Sequence, residues 1–151
     1  MTDTQVSTTV VLDRGAYARR LPLIAAAVFG AAAAFTIWGA HDLRETAVVL
    51  AALSITMVGV YGFLLPHKLR QPDAGPTALT LSLIGLAVFL PAFWSGLPLV
   101  LGVAGALLGS AGRHADKGRR LSMAAIAIGA LASIGYLAIY AFDYLAAPGI
   151  G

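Results

Sequence analysis

Apolar residues run almost unbroken through four stretches of the chain, residues 21–40, 47–65, 77–112 and 121–142, and none of the four contains a charged side chain. A hydrocarbon layer about 30 Å thick takes roughly 20 helical residues at about 1.5 Å each. The first, second and fourth stretches therefore predict one membrane-spanning helix apiece. The third would be about 54 Å long as a single helix and must be broken. Its middle reads Leu90-Pro91-Ala92-Phe93-Trp94-Ser95-Gly96-Leu97-Pro98. Each proline removes a helical donor and clashes with the preceding turn, and Gly96 adds a further break signal. The pattern predicts five segments, at about 21–40, 47–65, 77–91, 97–112 and 121–144, within one transmembrane domain over 21–146. The fold class expected is an all-α polytopic membrane helix bundle.

The basic residues test this division. Arg14, Arg19 and Arg20 precede the first segment, Lys68 and Arg70 lie in the second connection, and Arg113, Lys117, Arg119 and Arg120 in the fourth. Five segments put these nine of the ten Lys and Arg residues on one side and leave only Arg44 opposite. A single span over 77–112 would divide them evenly. Basic residues accumulate on the cytoplasmic side, so the N-terminus is expected inside and the C-terminus outside. Trp38, Trp94, Tyr140 and Tyr144 all fall at the predicted outer ends, where amphipathic rings sit between lipid and water. A hairpin over 77–112 that enters and leaves from the inside places every charge identically, so charge cannot separate it from full spanning. The uniformly apolar character of both halves makes five full transmembrane segments the expectation, with the re-entrant hairpin as the alternative.

Composition agrees with the pattern. Hydrophobic residues make up 59% and charged residues 11%, against about 45–50% and about 25% in soluble domains. The mean hydropathy is +0.84. These values disfavour a water-soluble enzyme or a disordered chain. The lack of cysteine removes a disulfide framework and a lipoprotein anchor. Residues 1–20 show no sustained periodicity and are expected to form a flexible cytoplasmic tail, with 147–151 a short outer one. Arg19-Arg20 before an apolar run suggests a signal peptide, but a run of about 20 residues exceeds the roughly 7–15 of a signal core, so an uncleaved first helix is expected. The expected location is the plasma (inner) membrane.

Small residues recur at spacing four: Ala26, Gly30 and Ala34 in the first segment, Gly105 and Gly109 beside Gly102 and Gly112 in the fourth, and Ala125, Gly129 and Ser133 in the fifth. Such faces let helices approach closely. They predict packing within the bundle, or an interface with a second copy or another membrane protein. No ionisable group lies near the middle of a segment, where a transport carboxylate would be expected. His41, Asp42 and Glu45 precede the second segment, and Asp42 with Glu45 three residues on fits an N-terminal cap. Together with Tyr140 and Asp143 these residues form a candidate outer polar patch, with a cation site as the alternative to capping. Thr56, Thr80, Ser82, Ser95, Ser110 and Ser133 would line a polar path if the chain were a small oligomeric channel or permease. The basic loop over 113–120 is explained by the positive-inside rule, so nucleic acid is not an expected partner. No catalytic set, phosphate loop or metal-spaced pair is present in the sequence, and neither cofactor nor enzymatic activity is expected.

Residues 97–140 combine a glycine-patterned apolar helix, a short basic loop and a second small-residue helix, carried by Gly102, Gly105, Gly109, Arg113, Arg119, Arg120 and Gly129. This stretch resembles the two-span hairpins of uncharacterised small multi-pass bacterial membrane proteins. The resemblance implies a membrane hairpin and no particular activity. The leading expectation is an accessory or structural membrane subunit.

Overall fold

The computed structural model describes residues 3–38, 42–71, 74–113 and 118–146, with side chains from residue 19 onward. The described residues are helical, without strands, and form five helices: α1 (Asp3–Trp38), α2 (Leu43–Leu69), α3 (Gly75–Phe89), α4 (Leu97–Gly112) and α5 (Arg119–Ala146). Three segments are long and apolar enough to cross a membrane: Arg19–Trp38, Leu43–Leu69 and Arg119–Ala146. The other two, α3 and α4, have 15 and 16 residues and are joined by the short 3-10 turn Phe93–Ser95. The break falls where Pro91, Gly96 and Pro98 predict it.

The helix ends differ from expectation in two places. Helix α1 begins at Asp3 rather than near residue 21, so helix also covers residues 3–20 of the stretch expected to be a flexible tail. A helix does not need an apolar stripe to form, and periodicity alone could not register this one. Pro22, which removes one helical hydrogen bond, lies where the apolar part begins. Helix α2 widens to a π-helical turn over Val58–Leu64, in which the Leu65 amide bonds the Val60 carbonyl five residues back. Pro66 is the cause we assign. Its ring would press on the Gly62 carbonyl in a regular helix, and the wider turn relieves that contact.

Helices α3, α4 and α5 pack against one another as a tight three-helix unit, and α1 and α2 lean on it. The short helix α4 lies at the centre. Eleven of its 16 residues are buried, on every side of the helix. At its start, Gly96 adopts a left-handed conformation (φ 71°), and a Cβ there would fall 2.7 Å from the Ala32 Cβ of α1. Only glycine serves both the turn and the close approach.

Candidate functional site

The densest arrangement of sequence-selected residues is the seam between α3, α4 and α5. Ser82 of α3 is fully buried, and its hydroxyl donates to the Ala125 carbonyl of α5 at 2.8 Å. Gly105 of α4 lies directly beneath it: a Cβ there would overlap the Ser82 side chain and sit 2.8 Å from the Ser82 nitrogen and 2.9 Å from the Ala78 carbonyl oxygen. Gly129 of α5 closes the third side, where a Cβ would run into the Gly102 carbonyl and reach 3.0 Å from the Ser82 hydroxyl. Gly102 faces Ser133 and the Gly129 carbonyl, and Gly109 faces Ser122, Ala125 and Ile126. Six of the nine small residues singled out in the sequence, Gly102, Gly105, Gly109, Ala125, Gly129 and Ser133, thus come together in one seam. The missing side chains let backbones approach and gain dispersion contacts.

The three on α1 do not join them. Ala26, Gly30 and Ala34 point outward, and nothing lies within 4 Å of a Cβ built on Gly30. The packed face of α1 is instead Leu21, Val28, Ala32 and Thr36. Packing inside the bundle, one of the two roles expected of this stripe, is therefore not where the structure puts it. The opposite face is the one held: Gly96 of the hairpin turn seats on Ala32, and Phe35 packs on Tyr136 and Tyr140.

The outer polar patch is only partly assembled. Asp42 is the N-cap of α2, its carboxylate accepting from the Arg44 amide at 3.2 Å, and the Thr46 hydroxyl adds a bond to the Asp42 carbonyl at 2.7 Å. Glu45 and Asp143 are exposed. Tyr140 stacks with Phe35 at 4.5 Å and Tyr136 at 5.0 Å, in an aromatic cluster rather than a polar one. His41 lies outside the described residues. Among those described, no three His, Cys, Asp or Glu side chains come together as a metal site would require.

The six hydroxyls of the expected polar path each donate to a backbone carbonyl. Thr56 bonds Ala52, Thr80 bonds Pro76, Ser95 bonds Ala92, Ser110 bonds Leu107 and Ser133 bonds Gly129, all within one helix or turn, while Ser82 bonds across to Ala125. They also divide between surfaces: Thr80 is exposed, whereas Ser82, Ser95 and Ser133 are buried. A hydroxyl bonded back to its helix needs no pore to satisfy it.

Two features escaped the sequence reading. Tyr61, in the π turn, is buried and donates to the Val100 carbonyl of α4 at 3.1 Å. The readable signal was Gly59 and Gly62 just ahead of Pro66. On the outward side of the same turn, Gly59, Gly62, Phe63, Leu64 and His67 line a shallow open groove. His67 meets Gln71 at 3.1 Å, and Lys68 donates to the same glutamine at 2.8 Å. The second feature is a pair of buried hydroxyls, on Ser122 and Tyr136, that find no hydrogen-bond partner among the described residues. No family model matches the chain, and comparison with curated proteins and with solved structures likewise finds no match.

Proposed function

We propose that this chain is a multi-pass protein of the plasma membrane, N-terminus inside and C-terminus outside, that acts as an accessory or structural subunit without catalysis of its own. Its partner is a second copy or a larger membrane protein. The membrane part of this reading is supported by the three long apolar helices and by the one-sided distribution of Lys and Arg.

The partner part is carried by one observation. The small-residue pattern of α4 and α5 is used up by close contacts inside the bundle, whereas the same pattern on α1 faces outward with open space above Gly30. A second helix could approach there as closely as α3 approaches α4. The channel or permease reading has less support, because its hydroxyls already bond to carbonyls and lie on different surfaces.

Cysteine cross-linking in native membranes tests the proposal, since the chain has no cysteine of its own. Gly30→Cys and Ala34→Cys are expected to give cross-linked species, either a dimer or an adduct with another membrane protein. Ile134→Cys, exposed on α5, is the control and is expected to give none. Monomer alone at both α1 positions would remove the partner from the reading.

A further inference from the structure

We infer that α3 and α4 form a half-deep hairpin, entering and leaving the membrane from the side of the basic loops, with a tip that stops inside the hydrocarbon. It rests on the membrane placement proposed above and takes the re-entrant hairpin over the five full spans expected from the sequence.

Helix register carries the argument. At one end the three central helices finish level: Gly75 of α3 lies against Gly118 and Ser122, and Gly112 of α4 lies against Ser122. This is the end marked by Arg113, Arg119 and Arg120. At the other end Gly96 seats on Ala32 of α1, and the Phe89 ring meets Gly135 of α5. Helix α1 continues six residues past Ala32 to Trp38, about 9 Å further. Helix α5 continues eleven residues past Gly135 to Ala146, about 16 Å further. Trp38 and Tyr144 meet with ring centroids 6.0 Å apart, a pairing that suits the outer interface. Measured by length, α3 and α4 span about 22 and about 24 Å, against a hydrocarbon layer of about 30 Å. The ends of α3 and α4 therefore fall about 6–8 Å short of the far boundary, and the compact turn of residues 90–96 takes up only part of that distance.

The chemistry of the tip fits a place without water. Broken backbone at membrane depth must satisfy its polar groups internally. Pro91 and Pro98 bring no N–H at all. The amides of Ala92, Ser95 and Val100 bond the carbonyls of Val88, Ala92 and Gly96, and the Leu97 amide bonds the Ser95 hydroxyl. That hydroxyl in turn donates to Ala92 at 2.6 Å. Residues 90–98 carry no charge, whereas the other connections hold Asp42 and Arg44, Lys68 and Arg70, and Arg113 to Arg120. Leu90 is 83% exposed at the tip, with Phe93 and Trp94 partly so, and these side chains suit acyl chains as neighbours.

The two tryptophans of the chain make the test direct. Trp38→Phe leaves Trp94 as the only indole, and Trp94→Phe leaves Trp38. Each variant is reconstituted into phosphatidylcholine vesicles brominated either near the headgroup end of the acyl chain or near its middle, and iodide is added as an aqueous quencher. Trp94 is expected to be quenched most by the mid-chain bromines and little by iodide, and Trp38 most by the shallow bromines. A shallow profile shared by both residues, or strong iodide quenching of Trp94, would overturn the half-deep hairpin while leaving the membrane placement intact. Absence of bromine quenching at both would overturn the placement and the hairpin together. If either variant fails to fold, a spin label at Leu90→Cys reports the same depth through its contrast between oxygen and aqueous relaxation agents.

Discussion

The seam makes a sharp prediction about one methyl group. Gly105→Ala places a Cβ 2.8 Å from the Ser82 nitrogen and 2.9 Å from the Ala78 carbonyl oxygen, and both are backbone atoms that no rotamer change can move. Ordinary van der Waals contact begins near 3.4 Å, so α3 and α4 must separate by about 0.6 Å. Overpacking of this kind costs about 1–3 kcal/mol, and rigid backbone neighbours put this site toward the upper end. Alanine returns up to about 1 kcal/mol of helix propensity, leaving a net loss of about 2 kcal/mol. Gly30→Ala is the matched control. It gains the same propensity and meets nothing within 4 Å, so its expected effect is neutral to slightly stabilising.

The assay is reversible unfolding of the detergent-solubilised protein by added dodecyl sulfate, followed by helical circular dichroism. Gly105→Ala should unfold at a clearly lower dodecyl sulfate fraction than the unaltered protein, and Gly30→Ala at the same fraction or a higher one. Adding Ser82→Gly to Gly105→Ala removes the side-chain overlap but keeps the two backbone contacts, loses the Ser82 bond to Ala125 and costs up to about 1 kcal/mol of helix propensity, so it should not restore the midpoint. Equal midpoints for the two alanine variants would refute the claim that α4 is held by backbone approach at Gly105.

Three further expectations concern other parts of the fold. Tyr61→Phe loses the bond to the Val100 carbonyl and should cost about 0.6 kcal/mol, the usual scale for an interhelical bond in a membrane protein, by the same unfolding assay. Pro66→Ala lets the π turn rewind and carries Tyr61 away from α4. In that background Tyr61→Phe should be silent, so a double-mutant cycle reads a coupling of about 0.5 kcal/mol or more, and strict additivity would sever the link between proline and tyrosine. Asp42→Ala removes the α2 cap and should cost about 1 kcal/mol without changing the metal content of the purified protein, whereas a loss of bound metal would favour a cation site.

Much of the fold was readable because long apolar helices announce themselves by their length and by the charged residues that bound them. The break at Pro91 and Pro98 and the bounds of α4 at Leu97 and Gly112 follow directly from proline chemistry and the next basic residue. The glycines of α4 were readable as a packing face for a similar reason: Gly102, Gly105 and Gly109 stand among Leu and Val, so the small face contrasts with its neighbours. In α1 that contrast is missing. Ala25 to Ala27 and Ala31 to Ala34 make nearly every face small, and the sequence holds no local reason to choose Ala32 over Ala34. The contacts that Ala32 and its neighbours make lie far along the chain, with Gly96 and with Tyr136 and Tyr140. The π turn was hidden for another reason. Pro66 reads as a helix end, and only the resumption of helix through Leu69 reveals it as an interior proline relieved by a wider turn.

The centrality of α4 bears on where any activity must act. Its faces are taken by α3 and α5 through the glycine seam, by α2 through the Tyr61 bond to Val100, and by α1 through the turn at Gly96. A helix so enclosed offers only a few half-buried side chains, Leu97, Val103, Leu107 and Ser110 among them, to a solute or a partner without the bundle opening. Opening the seam would break the Ser82 bond to Ala125 and give up the close backbone approaches at Gly105 and Gly129. The parts that can respond to their surroundings are therefore the outward faces of α1, α2, α3 and α5 and the basic loops at one end. Substitutions in the seam should alter stability alone, and substitutions on the outward face of α1 should alter association while leaving stability unchanged. A variant such as Gly105→Ala that abolished cross-linking at Gly30→Cys while the bundle stayed folded would show that seam and outer face are coupled, contrary to a rigid core that merely presents a docking helix.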